Sequence, residues 1–361
     1  MKLSVDRGEF LEALQKAKTA TERKTALPIL NNFLLVAEDD KLFCKATDLE
    51  NFLTFSIRAV ILQEGACTVN ADKLTSVVRS IPSVEIQMEV KEDKLVLTGG
   101  RSVFKLTTLN PEDFPEFPKI KVSTSISSGD LLKAIDKTEY AVSKEDSRYA
   151  LQGLYLHEHQ GKTHFVGSDG HRLALYWTNS SFPLELLLPR KSLKVLESLL
   201  KDYIGHVEVG RDESFSHMKG EGWELSIRLL EGEYPDYISI IPKEFNHQLL
   251  IDRQAFIESL KRLSSVASSS AFPIKVSLAN DLMILEISEP EYGEGKDELE
   301  VEYSDEPVEL GFNGRYLIEA LESFDIDKVW FKITDSDSAV LIESSDPEQD
   351  PYICIIMPMR L

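Results

Sequence analysis

The segment SDGHR, from Ser168 to Arg172, holds the side chains in this sequence that are most suited to catalysis. Its hydroxyl, carboxylate, imidazole and guanidinium are groups that a hydrolase assembles around a nucleophile. On an extended segment successive side chains point to opposite faces, so we expect Asp169 and His171 to share one face while Ser168 points to the other. This favours a non-catalytic segment, and a hydrolase that uses Asp169 and His171 is kept as an alternative.

Other motifs for catalysis or metal binding do not occur in the sequence. It contains no Walker-type glycine loop, no GxGxxG and no HExxH. The acidic runs EPEYGEGKDELEVEY and ESSDPEQD are irregular, which is typical of solvated loops, with weak cation binding as the alternative. Cys44, Cys67 and Cys354 form no CxxC or Cys/His pattern, so we expect buried thiols. We predict no catalytic site, no cofactor and no metal site.

The composition predicts a large globular protein of the cytoplasm. Of 361 residues, 42% are hydrophobic and 28% charged, which is enough apolar material for several cores. The opening MKLSVDRGEF lacks the apolar region of a signal peptide, and no run approaches the roughly 20 apolar residues of a membrane span. The net charge of −21 argues against a protein that grips nucleic acid tightly.

Two phrases recur three times at a nearly constant period. The first is SVDRGEFLEAL from Ser4, SISSGDLLKAI from Ser125 and LIDRQAFIESL from Leu250, at offsets of 121 and 125 residues. The second is TVNADKLTSVV, LLPRKSLKVL and GFNGRYLIEAL, around Leu74, Leu193 and Leu317. Each phrase has a β-type residue, a polar start signal and then apolar residues at helical spacing, which predicts a strand followed by a helix.

The recurring phrases predict three similar domains of the α+β class. Proline-rich seams, PEDFPEFP and EGEYPDYISIIP, end the first and second units, and such seams are typical of linkers. Segments of period two between the helices predict antiparallel strands. We therefore place the domains at residues 1–120, 121–243 and 244–361, each with two helices packed on antiparallel sheets. Chance similarity among amphipathic segments is the alternative.

The predicted helices are less acidic than the rest of the chain. Helices at 7–24, 71–80, 128–138, 190–201, 252–262 and 314–322 carry a formal charge of +6, which leaves −27 elsewhere. If these helices faced one surface, that surface would attract phosphates weakly without a tight grip. The alternative is that their cations only solvate helix faces. The cations in question are Lys16, Lys18, Arg79, Lys191, Lys194, Lys201, Lys261 and Arg262.

The chain ends in the apolar run YICIIMPMRL. Most chain ends are polar and frayed, so this end is expected to complete a core strand, to line a groove for a partner, or both. Methionine side chains adapt to varied partners.

Several motifs resemble the bacterial DNA polymerase III beta subunit family, the beta sliding clamps, in order and over the whole chain. They are MPMRL at the end, SDGHRLA, ALPIL, ATDLE, YPDY and FNGRYL. The resemblance implies that two chains join head to tail in a closed ring, with helices lining the hole and sheets outside. Twelve helices about 10 Å apart leave a hole of roughly 28 Å, which admits duplex DNA, whereas six leave about 9 Å.

The implied function is that of a topological tether rather than an enzyme. A ring around duplex DNA would hold the polymerase nearby without reading sequence, and would raise processivity through effective concentration. The implied partners are duplex DNA, the DNA polymerase III catalytic subunit, the clamp loader, and other polymerases and repair proteins that offer linear motifs. The alternative from another class is a cytoplasmic repeat scaffold that binds linear peptides without DNA.

The resemblance also implies roles for particular residues. This sequence departs from the family pattern at Ser168, Ala150 and Asp337. Phe104 and Leu106 against Val266 are the expected dimer seam. The expected DNA contacts are Arg23, Lys24, Lys144, Arg148 and Tyr149. The expected peptide groove consists of Leu151, Ser168, Gly170, His171, Arg172, Leu173, Pro235, Ile240, Phe272, Asn313, Tyr316, Ile355, Met357, Pro358, Met359 and Arg360.

Overall fold

The structure is a computed structural model that describes residues 1–22, 26–145 and 149–360. Within these residues the α-helices are α1 (Arg7–Ala17), α2 (Ala71–Ser80), α3 (Ser128–Thr138), α4 (Arg190–Leu200), α5 (Arg253–Leu263) and α6 (Gly314–Glu322). Short 3-10 helices lie at Lys18–Ala20, Pro28–Asn31, Pro111–Asp113, Glu139–Ala141, Tyr149–Gln152 and Ser264–Val266.

The strands up to residue 127 are β1 (Lys2–Asp6), β2 (Asn32–Glu38), β3 (Lys41–Thr47), β4 (Asn51–Gln63), β5 (Gly65–Asn70), β6 (Glu85–Lys91), β7 (Lys94–Gly99), β8 (Ser102–Leu109) and β9 (Thr124–Ser127). The next seven are β10 (Gly153–His159), β11 (Lys162–Ser168), β12 (Arg172–Thr178), β13 (Leu186–Pro189), β14 (His206–Arg211), β15 (Phe215–Gly220) and β16 (Trp223–Arg228). The last eight are β17 (His247–Asp252), β18 (Pro273–Ala279), β19 (Leu282–Glu289), β20 (Gly293–Glu300), β21 (Val308–Asn313), β22 (Lys328–Ile333), β23 (Val340–Ser344) and β24 (Tyr352–Ile356).

Side-chain caps fix where the repeated helices begin. Asp6 accepts a hydrogen bond from the Glu9 N–H at 2.9 Å, and Asp252 accepts one from the Ala255 N–H at 2.8 Å. Asn70 and Asn313 cap α2 and α6 in the same way. Such caps satisfy amide groups that lack a partner inside the helix. The predicted strand, cap and helix are confirmed at these positions, and Asp252 is the cap of α5 rather than its first residue.

The first helix is shorter than predicted, because α1 ends at Ala17 instead of running to residue 24. Thr19 donates its hydroxyl to the Lys16 carbonyl at 2.7 Å, and Thr21 donates to the Lys18 carbonyl at 2.9 Å. Threonine hydroxyls that bind backbone carbonyls compete with helix continuation. The backbone is extended at Thr21, and residues 23–24 lie outside the described residues.

In the part of the chain that the structure describes, two compact units hold three sheets. The first unit, residues 1–132 and 191–229, contains a twelve-stranded sheet in the order β1-β6-β7-β8-β5-β2-β3-β4-β16-β15-β14-β9, and β1 also pairs with β4. The second unit, residues 133–190 and 230–361, contains an eight-stranded sheet, β13-β10-β11-β12-β24-β23-β22-β17, and a four-stranded sheet, β20-β19-β18-β21. The pairs β16–β4 and β12–β24 cross the predicted domain boundaries at 120 and 243, which stay a prediction.

Each unit buries the apolar faces of its helices. In the first unit Phe10 and Leu74 have no exposed surface, and in the second Phe256 and Leu317 have none. The three cysteines are free and buried, as predicted. Burial raises the pKa of the Cys67 and Cys354 thiols to about 12. Among the described helices, none combines the length and apolar character needed to cross a membrane.

Candidate functional site

The SDGHR segment is a tight turn between β11 and β12, so the expectation that Asp169 and His171 lie on one face of an extended segment is wrong. Ser168 Oγ donates to the Arg172 carbonyl at 2.8 Å and accepts from the Gly170 N–H at 3.1 Å. Asp169 Oδ1 accepts from the backbone N–H groups of His171 and Arg172 at 2.9 and 3.1 Å. The φ of Gly170 is 84°, a conformation that favours glycine. Side-chain bonds to nearby backbone therefore make the turn.

The geometry of this turn does not assemble a catalytic triad. Ser168 is buried and its hydroxyl is engaged by backbone, while Asp169 Oδ2 accepts from Arg172 Nε at 3.1 Å. The His171 side chain is exposed. A nucleophile needs a base within hydrogen-bond reach and a third group that orients the base. In the described structure the hydroxyl and carboxylate build the turn instead.

The Arg172 side chain is buried beneath the turn, with 7% of the residue's surface exposed. It forms an ion pair with Glu319 of α6, and its Nη2 donates to the Tyr140 carbonyl at 2.6 Å. Its guanidinium lies 4.9 Å from the ring centroid of Tyr140 and 4.2 Å from that of Tyr316. Burial lowers the pKa of Arg172, but the hydrogen bond and charge of Glu319 outweigh burial and leave the pKa raised. Arg172 therefore positions the two tyrosines.

The C-terminal tail links two sheets of the second unit. The strand β24 pairs with β12 and β23, which confirms that the apolar end completes a core strand. Beyond β24 the Met357 N–H donates to the His171 carbonyl at 2.8 Å, and the Met359 N–H donates to the Gly311 carbonyl of β21 at 2.8 Å. The side chains stay accessible, since Met357 is 44% and Met359 42% exposed.

An apolar cluster supports the turn and the tail from beneath. Leu173 and Ile355, which are predicted as groove residues, are almost fully buried in it and are core residues. The segment after β16 covers this cluster through Tyr234 and Tyr237, and Leu151 packs against its edge. The predicted groove residues Pro235 and Ile240 are exposed, and Phe272 is buried against the start of α6 at Gly314.

Two cavities in the second unit are lined by seven of the predicted groove residues, namely His171, Arg172, Asn313 and Tyr316 in the first and Pro358, Met359 and Arg360 in the second. Sequence reasoning missed Tyr140, Val142, Lys275 and Glu309, because no motif marks them, and it missed Arg315 although this residue lies in the FNGRYL motif. The first cavity, of about 240 Å³, is lined by Tyr140, Val142, Ser143, Lys144, Glu145, Asp169, His171, Arg172, Ala271, Asn313, Arg315 and Tyr316. The second, of about 540 Å³, is lined by Lys275, Glu309, Leu310, Gly311, Ser336, Asp337, Pro358, Met359 and Arg360.

A histidine pair anchors the segment that covers the apolar cluster. The Tyr237 hydroxyl lies 2.8 Å from His157 Nε2 and 2.7 Å from His164 Nδ1. His159 lies beside them, with its ring centroid 5.1 Å from that of His164. Burial lowers the pKa of His157, and burial with the neighbouring histidines lowers the pKa of His164 to about 4. Burial therefore favours neutral imidazoles in this anchor.

Acidification is expected to lower the free energy of unfolding of the second unit, because His164 is buried as a neutral imidazole. The pKa of this group falls on folding from 6.5 to about 4, so the folded state binds fewer protons. Its contribution to the free energy of unfolding is complete above pH 6.5 and is lost as the pH falls toward 4, by at most about 1.4 kcal/mol per pH unit. Urea unfolding at pH 7.5, 6 and 5 should show this slope reduced in His164→Asn. The exposed His171→Asn is the control, and an equal slope in all three proteins would refute the assignment.

The remaining predicted contacts fall in different places. Lys144 and Tyr149 are exposed, whereas Arg23, Lys24 and Arg148 lie outside the described residues. Phe104 and Leu106 are half-buried on β8, and Val266 is half-buried in the short helix after α5. Among the described residues, no group of three or more His, Cys, Asp or Glu side chains is arranged to hold a metal ion.

Known proteins resemble this chain from end to end. Models of the N-terminal, central and C-terminal domains of the DNA polymerase III beta subunit match residues 1–118, 125–236 and 238–360. The beta sliding clamp of Pseudomonas aeruginosa is 33% identical, and the alignment covers both chains completely. The crystal structure of the DNA polymerase III beta subunit from that organism matches at a TM-score of 0.94 and 31% identity, with both chains fully covered. A Bartonella birtlesii sliding clamp bound to griselimycin matches at 0.95 and 30%, also with full coverage of both chains.

Proposed function

Because this chain belongs to the DNA polymerase III beta subunit family and is a DNA sliding clamp, we propose that its turn and tail form the groove that captures partner proteins. Members of this family are non-catalytic processivity factors, and DNA and the polymerase are the partners of sliding clamps. The observation that carries the proposal is the tail after β24, which bonds both the SDGHR turn and β21 and leaves two methionine side chains accessible.

The chemistry of the groove suits an extended peptide with apolar anchors. Met357 and Met359 offer flexible apolar surface, which can repack around different partners. His171 and Asn313 line the first cavity and can supply polar contacts that fix the peptide's direction. A few such contacts beside an apolar trough are typical of linear-peptide recognition.

Asp337 should give this clamp a different peptide preference from that of clamps with an apolar residue at this position of the groove rim. Asp337 and Arg360 both line the second cavity, and neither side chain has an ion pair among the described residues. A free carboxylate and a free guanidinium favour a polar residue beside the apolar anchors of the peptide.

Binding of a fluorescein-labelled ten-residue peptide with two apolar anchors, taken from the end of a replicative polymerase, tests the groove. Met357→Ala/Met359→Ala should weaken binding by about tenfold or more, because central apolar contacts dominate such interfaces. Tyr292→Ala is the matched control, since Tyr292 is 63% exposed in the same unit between β19 and β20. Equal affinity for wild type and the methionine variant would place the peptide elsewhere.

The clamp family forms closed rings of two chains joined head to tail, and two sheet edges support a seam for this chain. Over Ser102–Thr107, β8 pairs only with β7 in the described structure, and β20 ends its sheet with β19 as its neighbour. Val266 lies against β20, because a Cβ added at Gly295 would be 3.6 Å from its side chain. The formal charges are +1 on β8 and −3 on β20. Open edges of opposite charge favour pairing between chains.

The partners proposed for the groove are the DNA polymerase III catalytic subunit, the clamp loader, and other polymerases and repair proteins. Each would compete for the same turn and tail, in the cytoplasm, and the chain itself would perform no chemistry. Its DNA contacts at residues 23, 24, 144, 148 and 149 are also proposals. A peptide scaffold that never encircles DNA is disfavoured, because the whole chain matches DNA clamps.

A further inference from the structure

The segment between β16 and β17 carries two of the predicted groove residues. Pro235 and Ile240 are both exposed on it, and they bound the stretch 235–240, which we call the wall segment. Tyr237 lies between them, and its side chain is buried in the apolar cluster beneath the SDGHR turn. The position of the Tyr237 side chain therefore determines where Pro235 and Ile240 stand.

The Tyr237 hydroxyl is shared by an imidazole of β10 and an imidazole of β11. His157 and His164 are directly opposite each other on these strands, with ring centroids 5.9 Å apart. A phenol has one proton to donate, so one nitrogen accepts it while the other donates to the oxygen. Neutral imidazoles suit this arrangement, because each has one donor and one acceptor nitrogen. If both were charged, the two cations would repel and the hydroxyl proton would have no acceptor between them.

The surroundings of the histidine pair disfavour a further positive charge. Burial lowers the pKa of His164 most, and His159 and Lys162 lower it further. At His157 burial outweighs the charge of Glu185, so that this pKa is lowered too. The titratable and charged groups that face the pair are Tyr155, Glu158 and His159 of β10, Lys162 of β11, Glu185 before β13, and Asp236 and Tyr237 of the wall segment. The pair therefore takes up protons less readily while the wall segment covers it than it would in water.

We propose, on the basis of the proposed groove, that His157 and His164 position the wall segment through Tyr237, and that peptide affinity falls when this pair takes up protons. Protons bind better to the state in which the wall segment has left the pair, because the imidazoles are then open to water. Only the closed state presents Pro235 and Ile240 to the peptide. The apparent dissociation constant therefore rises as the closed fraction falls.

Peptide binding above and below the ordinary pKa of histidine tests this proposal. The full-length chain would be titrated at about pH 7.5 and about pH 5 into the ten-residue peptide. The peptide would be made without Asp, Glu or His, with blocked termini and a tetramethylrhodamine label, so that its own charge stays constant. His157→Gln/His164→Asn keeps amide groups that can bond the Tyr237 hydroxyl but cannot titrate. Tyr237→Phe removes that hydroxyl. Tyr155→Phe is the control, because its hydroxyl is bonded to Glu185 in the same cluster.

The affinity of the wild type and of Tyr155→Phe should fall by about fivefold or more on acidification, since one histidine alone can shift the balance by up to about 30-fold at this pH. The Gln/Asn variant should bind within about twofold of wild type at the higher pH and lose less than about twofold at the lower one. That affinity at the higher pH would itself show that its fold is intact. Tyr237→Phe should bind about threefold or more weakly already at the higher pH, because the wall segment has lost its anchor.

An equal loss of affinity in the wild type and in the Gln/Asn variant would assign the pH dependence to another group, such as the exposed His171, and overturn the proposal. A wild-type affinity that does not change with pH, or a Tyr237→Phe variant that binds as the wild type does, would also overturn it. The variant Met357→Ala/Met359→Ala separates this proposal from that of the groove. If it binds the peptide as well as wild type does, the groove itself is wrong. If it binds weakly while the Gln/Asn variant follows the wild-type pH profile, only the role of the histidines is wrong.

Discussion

Replacement of Lys137 by Met is expected to lower the free energy of unfolding by about 3–5 kcal/mol. Lys137 is 3% exposed on α3, and its Nζ lies 2.7 Å from Asp350 Oδ1 and 3.2 Å from Asp325 Oδ2. It also donates to the Ser323 carbonyl at 2.6 Å and lies 4.9 Å from the ring centroid of Tyr352. Asp350 has no exposed surface, so loss of the ammonium group leaves a buried carboxylate without its counter-charge.

Lys133→Met is the matched control, because Lys133 lies on the same helix and contacts the same Asp325 oxygen at 2.9 Å. Its side chain is 40% exposed, and exposed ion pairs contribute about 1 kcal/mol or less. Urea unfolding followed by tryptophan fluorescence gives both values. The double variant Lys137→Met/Asp350→Asn should recover part of the loss. A Lys137 variant no less stable than the Lys133 variant would contradict the importance of the buried pair.

The repeated helices could be predicted because their signals are local. A capping Asp or Asn followed by apolar residues at helical spacing marks where α1, α2, α5 and α6 begin. The predicted end of α1 is wrong, because the helix ends where the hydroxyls of Thr19 and Thr21 bond to backbone carbonyls. These bonds depend on the rotamers of the two side chains, which the spacing of apolar residues does not reveal. The continuous sheets depend on pairings such as β16 with β4, which no local pattern reveals.

Family motifs indicate where the proposed site lies in the sequence, but they do not indicate its local structure. Family motifs indicate the SDGHR segment and the tail and place Arg172 in the groove, but they do not indicate that its guanidinium is buried between Tyr140 and Tyr316 with Glu319 as its partner. Burial of a guanidinium depends on residues distant in sequence. The histidine anchor of Tyr237 was missed although His157 and His159 occupy alternate positions on β10 and His164 is paired opposite His157. Strand alternation could have placed these three on one face.

The proposed dimer interface should be disrupted when carboxylates are added to β8. Phe104→Glu/Leu106→Glu would place two negative charges opposite the acidic β20 of the partner, and would also remove apolar surface that Val266 is proposed to cover. Like charges that face each other across paired strands are destabilising. We expect the dissociation constant of the dimer to rise by about 100-fold or more, which corresponds to roughly 2.7 kcal/mol.

Two further variants separate charge at the seam from charge in general. Val60→Glu/Val84→Glu adds the same charge at exposed apolar positions of the first unit, which are 65% and 78% exposed, and should leave the dimer unchanged. Phe104→Lys/Leu106→Lys removes the same apolar side chains but faces the acidic strand with positive charge, and should weaken the dimer less than the glutamate pair. Equal dissociation constants for the dimers of the double-lysine and double-glutamate variants would reject the charge argument.

Light scattering of the wild-type chain and the Phe104→Glu/Leu106→Glu variant at micromolar concentration tests the two-chain ring most directly. The wild type should have twice the 40.8 kDa mass of one chain, and the variant should approach a single chain while still binding the peptide. A wild type of 40.8 kDa, or a variant that stays dimeric, would contradict a ring closed through β8 and β20.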